Sequence, residues 1–259
     1  MTKLIYQVSV GPKSKLYETC IESVAEYAKL IGAKHIVQRE AKLRIKPNPF
    51  SSNRSEGASR LGYLPIYEKE NAFDYIDEFD QIAIIDSDVW VRPNDKEPVS
   101  IFKSMSDKAA ISASIESTMP ITNQYTQKIQ NYSRMQYSNL FPKEMMGPKG
   151  YPFANMGVMV LNSKNFKPFL KGQDAKEFIS RYEFQDFVDG KGPWKWSTDQ
   201  TLLNWWIWKY QIPFQNLDWR FNGLFGANTR INECHFVHFF LKDKLPEKGE
   251  NIEELFKNV

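Results

Sequence analysis

Residues 81–88 read Gln-Ile-Ala-Ile-Ile-Asp-Ser-Asp, and this stretch limits the fold more than any other. Strand residues 81–85 show no apolar/polar alternation, so both faces must be covered, as in the middle of a parallel sheet flanked by helices. The flanking pattern agrees. Residues 4–10 read as a strand, and after the turn at Gly11-Pro12 the positions Leu16, Cys20, Val24, Tyr27 and Ile31 recur at helical spacing. Gly32 closes that helix, residues 35–37 form a second short strand, and residues 41–57, rich in Pro, Asn, Ser and basic side chains, read as a mobile loop. Further strands are expected at 109–115 and 157–161, a polar helical stretch at 122–140, and helices at 175–188 and 198–210. An aromatic strand at 234–241 and an amphipathic helix at 251–258 end the pattern. Strands alternating with helices predict an α/β fold: one domain, a mainly parallel Rossmann-like sheet, and an Asp-x-Asp at the end of a central strand.

Composition narrows the function. With 259 residues, 42% of them apolar, the chain suits one continuous core. The 34 Lys and Arg against 31 Asp and Glu give a net charge of +3, far from the footprint of a dedicated nucleic-acid binder. No stretch approaches the roughly 20 apolar residues of a membrane span, and the opening Met1-Thr2-Lys3-Leu4-Ile5-Tyr6 lacks a signal peptide's apolar segment. A soluble cytoplasmic protein is therefore expected. Cys20 and Cys234 lack the spacing of a disulfide framework or a zinc ribbon.

Asp86 and Asp88 stand at the carboxyl end of the buried strand, where open α/β sheets place ligands. Residues i and i+2 of an extended backbone point to one side, so both carboxylates can face one hard divalent cation that bridges to phosphates. His235 and His238 lie on the aromatic strand three positions apart and face opposite ways, so at most one reaches such a site. An imidazole beside two carboxylates favours Mn²⁺ over Mg²⁺; two histidines at a strand edge are the plainer reading. Ser197 and Gln200 match a capping box, which gives Asp199 a structural explanation as a first-turn acid at the positive end of a helix. Trp205 and Trp208 repeat with Leu202 at helical spacing and belong to a core. Trp194 and Trp196, after Gly190-Lys191-Gly192-Pro193, are either sugar-stacking acceptor residues or loop anchors.

In this order the motifs resemble nucleotide-sugar glycosyltransferases of the GT-A fold, and within them the retaining group of glycogenin and the bacterial lipopolysaccharide galactosyltransferases. Ile84-Ile85-Asp86-Ser87-Asp88 resembles that group's metal-binding Asp-x-Asp, and Asn155-Met156-Gly157-Val158 its Asn-Ser-Gly-Val strand. Asp199-Gln200-Thr201-Leu202-Leu203-Asn204 is similar to its Asp-Gln-x-x-x-Asn helix start, and His238 with Lys244 six residues on is similar to its closing motif. Ser59-Arg60-Leu61 and Tyr17 fall where the group carries a basic residue for the donor and an aromatic near the uracil ring. Departures are Met156 for Ser, Thr201 where an acid is frequent, and Leu241 with Leu245-Pro246 for Gly and Pro-Trp.

The resemblance implies a metal-dependent transfer of a hexose from a nucleotide diphosphate sugar, UDP-linked, to a carbohydrate or other hydroxyl acceptor with retention. It implies Mn²⁺ or Mg²⁺ on Asp86, Asp88 and His238, and Asp199 as the carboxylate beside the anomeric carbon. The implied donor contacts are Ser9, Val10, Tyr17, Arg60, Ser87, Asn155, Gln200 and Lys244. Residues 1–115 would form the nucleotide-binding half and 116–259 the donor-sugar and acceptor half. Two other readings compete. A sugar-phosphate nucleotidyltransferase needs a Gly-rich basic loop after the first strand, where Gly11-Pro12-Lys13 offers one glycine. An inactive carbohydrate-binding relative would differ from the favoured reading by lacking nucleotide-sugar turnover.

Overall fold

The computed structural model describes residues 1–93, 98–196, 198–257 and 259. The chain runs β1 (Lys3–Val8), α1 (Lys15–Leu30), β2 (Lys34–Gln38), a long 3-10 helix (Pro65–Tyr75), β3 (Gln81–Ile85) and β4 (Val89–Val91). It continues through β5 (Ile111–Ile115), α2 (Asn123–Tyr137), β6 (Ala154–Asn162), α3 (Ser163–Leu170), α4 (Ala175–Ile179), α5 (Gln185–Asp189) and α6 (Asp199–Lys209). The last elements are β7 (Phe214–Asn216), β8 (Gly223–Leu224), β9 (Phe236–His238) and α7 (Ile252–Phe256).

Six strands form the main sheet in the order β2-β1-β3-β6-β5-β7. β1 runs parallel to β2 and β3, and β7 parallel to β5, while β6 is antiparallel to both its neighbours. All five residues of β3 are buried. The pleat sends Ile82 and Ile84 into one apolar cluster and Ala83 and Ile85 into another, which is why the sequence there carries no alternation. On α1, Leu16, Cys20, Val24 and Tyr27 make the buried stripe, closing one side of the molecule. A second sheet, β4-β9-β8, lies beyond the end of β3.

Several elements differ from expectation, each for a local reason. The loop at 41–57 is tied down rather than mobile. Buried Glu68 accepts the backbone N–H groups of Lys42, Leu43 and Arg44, and buried Asp189 accepts those of Asn48 and the Ser51 hydroxyl. Arg54 donates to the carbonyls of Val188 and Phe187. The helix expected at 175–188 splits into α4, a 3-10 turn over Tyr182–Phe184, and α5. The break falls at Arg181, whose backbone is extended and whose guanidinium bonds the carbonyls of Phe169 and Leu170. The strand at 234–241 shortens to β9, and Leu241 beyond it is left-handed at φ 59°. α6 is capped by the extended Thr198 without a side-chain bond; the expected cap Ser197 and helix end Asn258 lie outside the described residues. Among the described residues no helix is long and apolar enough to cross a membrane.

Candidate active site

A cleft of about 680 Å³ opens at the carboxyl ends of β1, β3 and β5 and the start of β6. Its geometry begins with strand pairing. β4 follows Asp88 directly and pairs antiparallel with β9 so that Val89 stands across from His238. The pairing folds the histidine back over the two carboxylates. Ligand atoms of Asp86, Asp88 and His238 all lie within 4.8 Å of one another.

The imidazole is oriented from behind. Asn222 Nδ2 donates to Asn155 Oδ1 at 3.0 Å, so the Asn222 Oδ1 is left to accept from His238 Nδ1 at 3.0 Å. That assignment puts the lone pair on Nε2, which faces Asp88 Oδ1 at 3.3 Å. Asp88 Oδ1 is buried and takes no hydrogen bond, since it faces the lone pair of Nε2 rather than an N–H. Burial would lower the His238 pKa, but the nearby Asp88 and Asp86 carboxylates outweigh it and raise it. Two carboxylates and one imidazole nitrogen, with Asp88 Oδ1 left without a hydrogen-bond partner, suit a divalent cation of the Mn²⁺ or Mg²⁺ type. Gly157 makes room for this arrangement, because a Cβ there would stand 2.7 Å from His238 Nδ1 and closer still to Cε1.

Lys69, on the 3-10 helix, joins the two halves of the cleft. Its Nζ lies 3.0 Å from Asp86 Oδ1, 2.9 Å from Asp199 Oδ2 and 2.9 Å from the Met156 carbonyl. The carbonyl is free for this bond because β6 is bulged here, its pairing with β5 slipping between Ala113 and Ser114. Burial pulls the Lys69 pKa down, but Asp199 and Asp86 more than reverse that and it ends raised. The Asp199 pKa is raised by burial, against which Lys69 pulls it down. Asn204 fixes α6 to β6 by bonding both the N–H and the carbonyl of Ala154 at 2.8 Å.

A further carboxylate enters at the end of β5. Glu116 is 3% exposed and accepts from Asn155 Nδ2 at 2.8 Å, Gln200 Nε2 at 3.2 Å and the Tyr125 hydroxyl at 3.2 Å. Its pKa is raised by burial, with those three donors acting against the rise. Asn155 also accepts from the Gly157 N–H, so a single amide hydrogen is left for a ligand.

Of the residues expected from the sequence, Ser9, Val10, Tyr17, Arg60, Asp86, Ser87, Asp88, Asn155, Asp199, Gln200 and His238 all line the cleft. Lys244, Trp194 and Trp196 do not. Lys244 is exposed beyond the left-handed turn at Leu241, while Lys242 lies over the Tyr17 ring at 4.6 Å. Trp194 packs on Phe187 and donates to the Gln136 carbonyl, and Trp196 is 62% exposed. His235 faces away, its ring on Phe221. Sequence reasoning missed Lys69, Glu116 and Asn222. Glu116 had a usable signal, since it follows a buried strand as Asp86 does. Lys69 and Asn222 lie in irregular segments with no spacing to mark them.

No family model and no curated protein matches the sequence. Solved structures do. A glycosyltransferase involved in glycosylation of the major capsid of PBCV-1 is 15% identical with a TM-score of 0.57, over 98% of this chain and 100% of that one. The galactosyltransferase LgtC, solved with donor and acceptor sugar analogs, is 15% identical with a TM-score of 0.51, over 99% and 96%. Mouse xyloside xylosyltransferase 1 is 15% identical with a TM-score of 0.51, over 95% and 100%. Likeness at such low identity speaks for architecture, and with the sheet order and the cleft at its strand ends it shows that this chain has the GT-A fold.

Proposed function

We propose that the chain is a metal-dependent glycosyltransferase, a divergent relative of the retaining group it resembles, which moves a hexose from a UDP-linked donor to a hydroxyl of a carbohydrate or other acceptor. One observation carries this reading: a three-ligand cation site and a buried carboxylate, Asp199, share one cleft and are joined through Lys69. Asp86, Asp88 and His238 would hold Mn²⁺ or Mg²⁺, and such an ion, when bound, neutralises charge on a departing diphosphate.

The chain's own residues supply the rest. Ser9, Val10 and Tyr17 line the nucleotide end of the cleft, with Ser87 beside the cation site and Arg60 adding fixed positive charge. Lys244, exposed outside the cleft, is the further cation proposed for the diphosphate. Lys69 holds Asp199 beside the anomeric carbon, where a carboxylate stabilises oxocarbenium-like charge. Gln200 and Glu116 present polar groups to the transferred sugar, and Asn155 holds Glu116 in place. Residues 1–115 would serve the nucleotide and 116–259 the sugar and acceptor, with Trp194, anchored on Phe187 and the Gln136 carbonyl, and the exposed Trp196 outside the cleft. The enzyme acts as a soluble cytoplasmic protein.

The test is a panel of nucleotide sugars with Mn²⁺, scored for released nucleotide, with the anomeric configuration of any product read by NMR. Release from a UDP-hexose that stops in EDTA is expected. Full activity in EDTA, or no release from any nucleotide sugar, would remove the reading.

A further inference from the structure

One side of the cleft differs in character from the cation site. Tyr125, Lys128, Ile129 and Tyr132 follow each other at positions i, i+3, i+4 and i+7, so α2 turns a single stripe toward the cleft. Phe240 meets the Tyr125 ring edge to face at 5.6 Å, and Phe153 meets Tyr132 at 5.4 Å. Together these rings make an aromatic lobe whose inner end is Glu116, held by the Tyr125 hydroxyl.

Three cations line the cleft, and they are differently placed. Lys69 is committed to Asp86 and Asp199. Arg60 stands near Tyr17, on whose hydroxyl its charge acts. Lys128 is exposed at the mouth of the aromatic lobe and makes no ion pair or hydrogen bond among the described residues. The strand order separates it from the nucleotide end. β1, which leads to Ser9, Val10 and Tyr17, lies three strand steps from β5, which leads to Glu116 and α2, a distance of about 14 Å at the usual strand spacing. The cation site itself, at the end of β3, lies two strand steps from β5, about 10 Å at the same spacing, so Lys128 is set on the β5 side of a diphosphate held at Asp86, Asp88 and His238. Glu116 accepts from Asn155, Gln200 and Tyr125 and makes no hydrogen bond or ion pair with Lys128.

We propose that this lobe is the acceptor site and that the acceptor is an anionic sugar, its ring against Tyr125, Tyr132 and Phe240 and its carboxylate or phosphate on Lys128. The proposal rests on the glycosyltransferase reading and adds the acceptor's chemical class to it. Aromatic faces pack against the apolar face of a sugar ring, and a charge-assisted bond to an ammonium is roughly twice as strong as a neutral one. Lys128 is then a specificity-determining residue.

The experiment uses the full chain with Mn²⁺ and the nucleotide sugar it hydrolyses fastest. Acceptors are 4-nitrophenyl hexosides, each paired with the hexuronide and the hexoside 6-phosphate of the same ring. The wild type should favour an anionic member over its neutral partner by roughly tenfold or more in kcat/KM. Lys128→Glu should erase or invert that ratio, and Lys128→Arg should keep most of it. Because the ratio is taken within one variant, a general loss of folding or donor binding cancels. Equal or better use of the neutral partner, an unchanged ratio in Lys128→Glu, or rejection of every pair would overturn the proposal. A parallel arm compares hydrolysis of UDP-hexose with UDP-hexuronic acid. If charge preference appears there and vanishes in Lys128→Glu, the lysine serves the donor sugar and the acceptor assignment falls. Absence of hydrolysis with every nucleotide sugar would instead take down the glycosyltransferase reading, and this proposal with it.

Discussion

Lys69 Nζ sits between two carboxylates that are far apart in the chain, 2.9 Å from Asp199 Oδ2 and 3.0 Å from Asp86 Oδ1. The ammonium ties the first turn of α6 to the end of β3, so the strand carrying the Asp-x-Asp and the helix carrying Asp199 are fixed relative to each other by one side chain. Its Nζ also reaches the Met156 carbonyl, which brings in the bulge of β6.

Removing that charge leaves two carboxylates facing each other in a poorly solvated place. Lys69→Met should therefore destabilise the fold by about 3–5 kcal/mol, the usual result of breaking a buried ion pair from one side. Nucleotide release should fall with it. Thermal unfolding against wild type checks the first point. Lys69→Arg is not a mild change, because a planar fork does not fit a three-way point contact. A Lys69→Met variant as stable as wild type would mean that the pair is solvated rather than structural.

His238 depends on a residue that does not itself line the cleft. Asn222 Oδ1 accepts from Nδ1 and so directs Nε2 at Asp88. Asn222→Ala should weaken Mn²⁺ binding about 10- to 100-fold, the usual effect of removing such an orienting partner, while the fold survives. Calorimetric titration with Mn²⁺ reads this directly, and unchanged affinity would show that the ring is held by packing alone.

Much of this site could be read from the sequence because its parts are local. The absence of alternation at 81–85 placed β3 in the centre of the sheet, and the carboxylates two apart at its end followed from strand geometry. The opposite facing of His235 and His238 needed only the period of a strand, and the two rings do lie on opposite sides. What escaped was long-range pairing. Lys69 lies 17 residues from Asp86 in sequence and on a 3-10 helix whose buried residues follow no 3.6-residue period. The loop at 41–57 looked mobile because its anchors, Glu68 and Asp189, belong to segments with patterns of their own. Asp199 looked like a helix-dipole acid because its partner was invisible.

The C-terminal segment offers a pH-dependent test. Glu250 accepts from the Lys15 N–H, the Ser14 hydroxyl and Lys242, and these hold its pKa down to about 2 from an ordinary 4.5. A carboxylate depressed in the folded state contributes stability above about pH 4.5 and loses it as pH falls toward about 2. Glu250→Gln should lower Tm at pH 7, and the gap from wild type should close over that acid range. A gap that stays constant from pH 7 to pH 2.5 would show that the side chain's shape, not its charge, secures the clasp on α1.

Asp199 gives the sharpest separation of structure from chemistry. It is the first residue of α6, where an acid interacts with the helix dipole, and a loss of that effect alone costs well under about 1 kcal/mol. The structure adds a second structural role, the pair with Lys69, but Asp86 remains to neutralise Lys69 when Asp199 is changed. Asn also keeps an oxygen that can accept from the ammonium. Asp199→Asn should therefore fold, unfold within a few degrees of wild type, and bind Mn²⁺ through Asp86, Asp88 and His238. If the carboxylate stands beside the reacting carbon, what disappears is charge needed only in the transition state, so kcat should fall roughly a hundredfold or more with donor KM nearly kept. Steady-state kinetics with the preferred nucleotide sugar, alongside Mn²⁺ titration of the same preparation, decides the matter. Near-normal kcat in a folded, metal-binding Asp199→Asn protein would assign Asp199 to the architecture of the cleft and leave Glu116, at the end of β5, as the carboxylate to examine for the reaction.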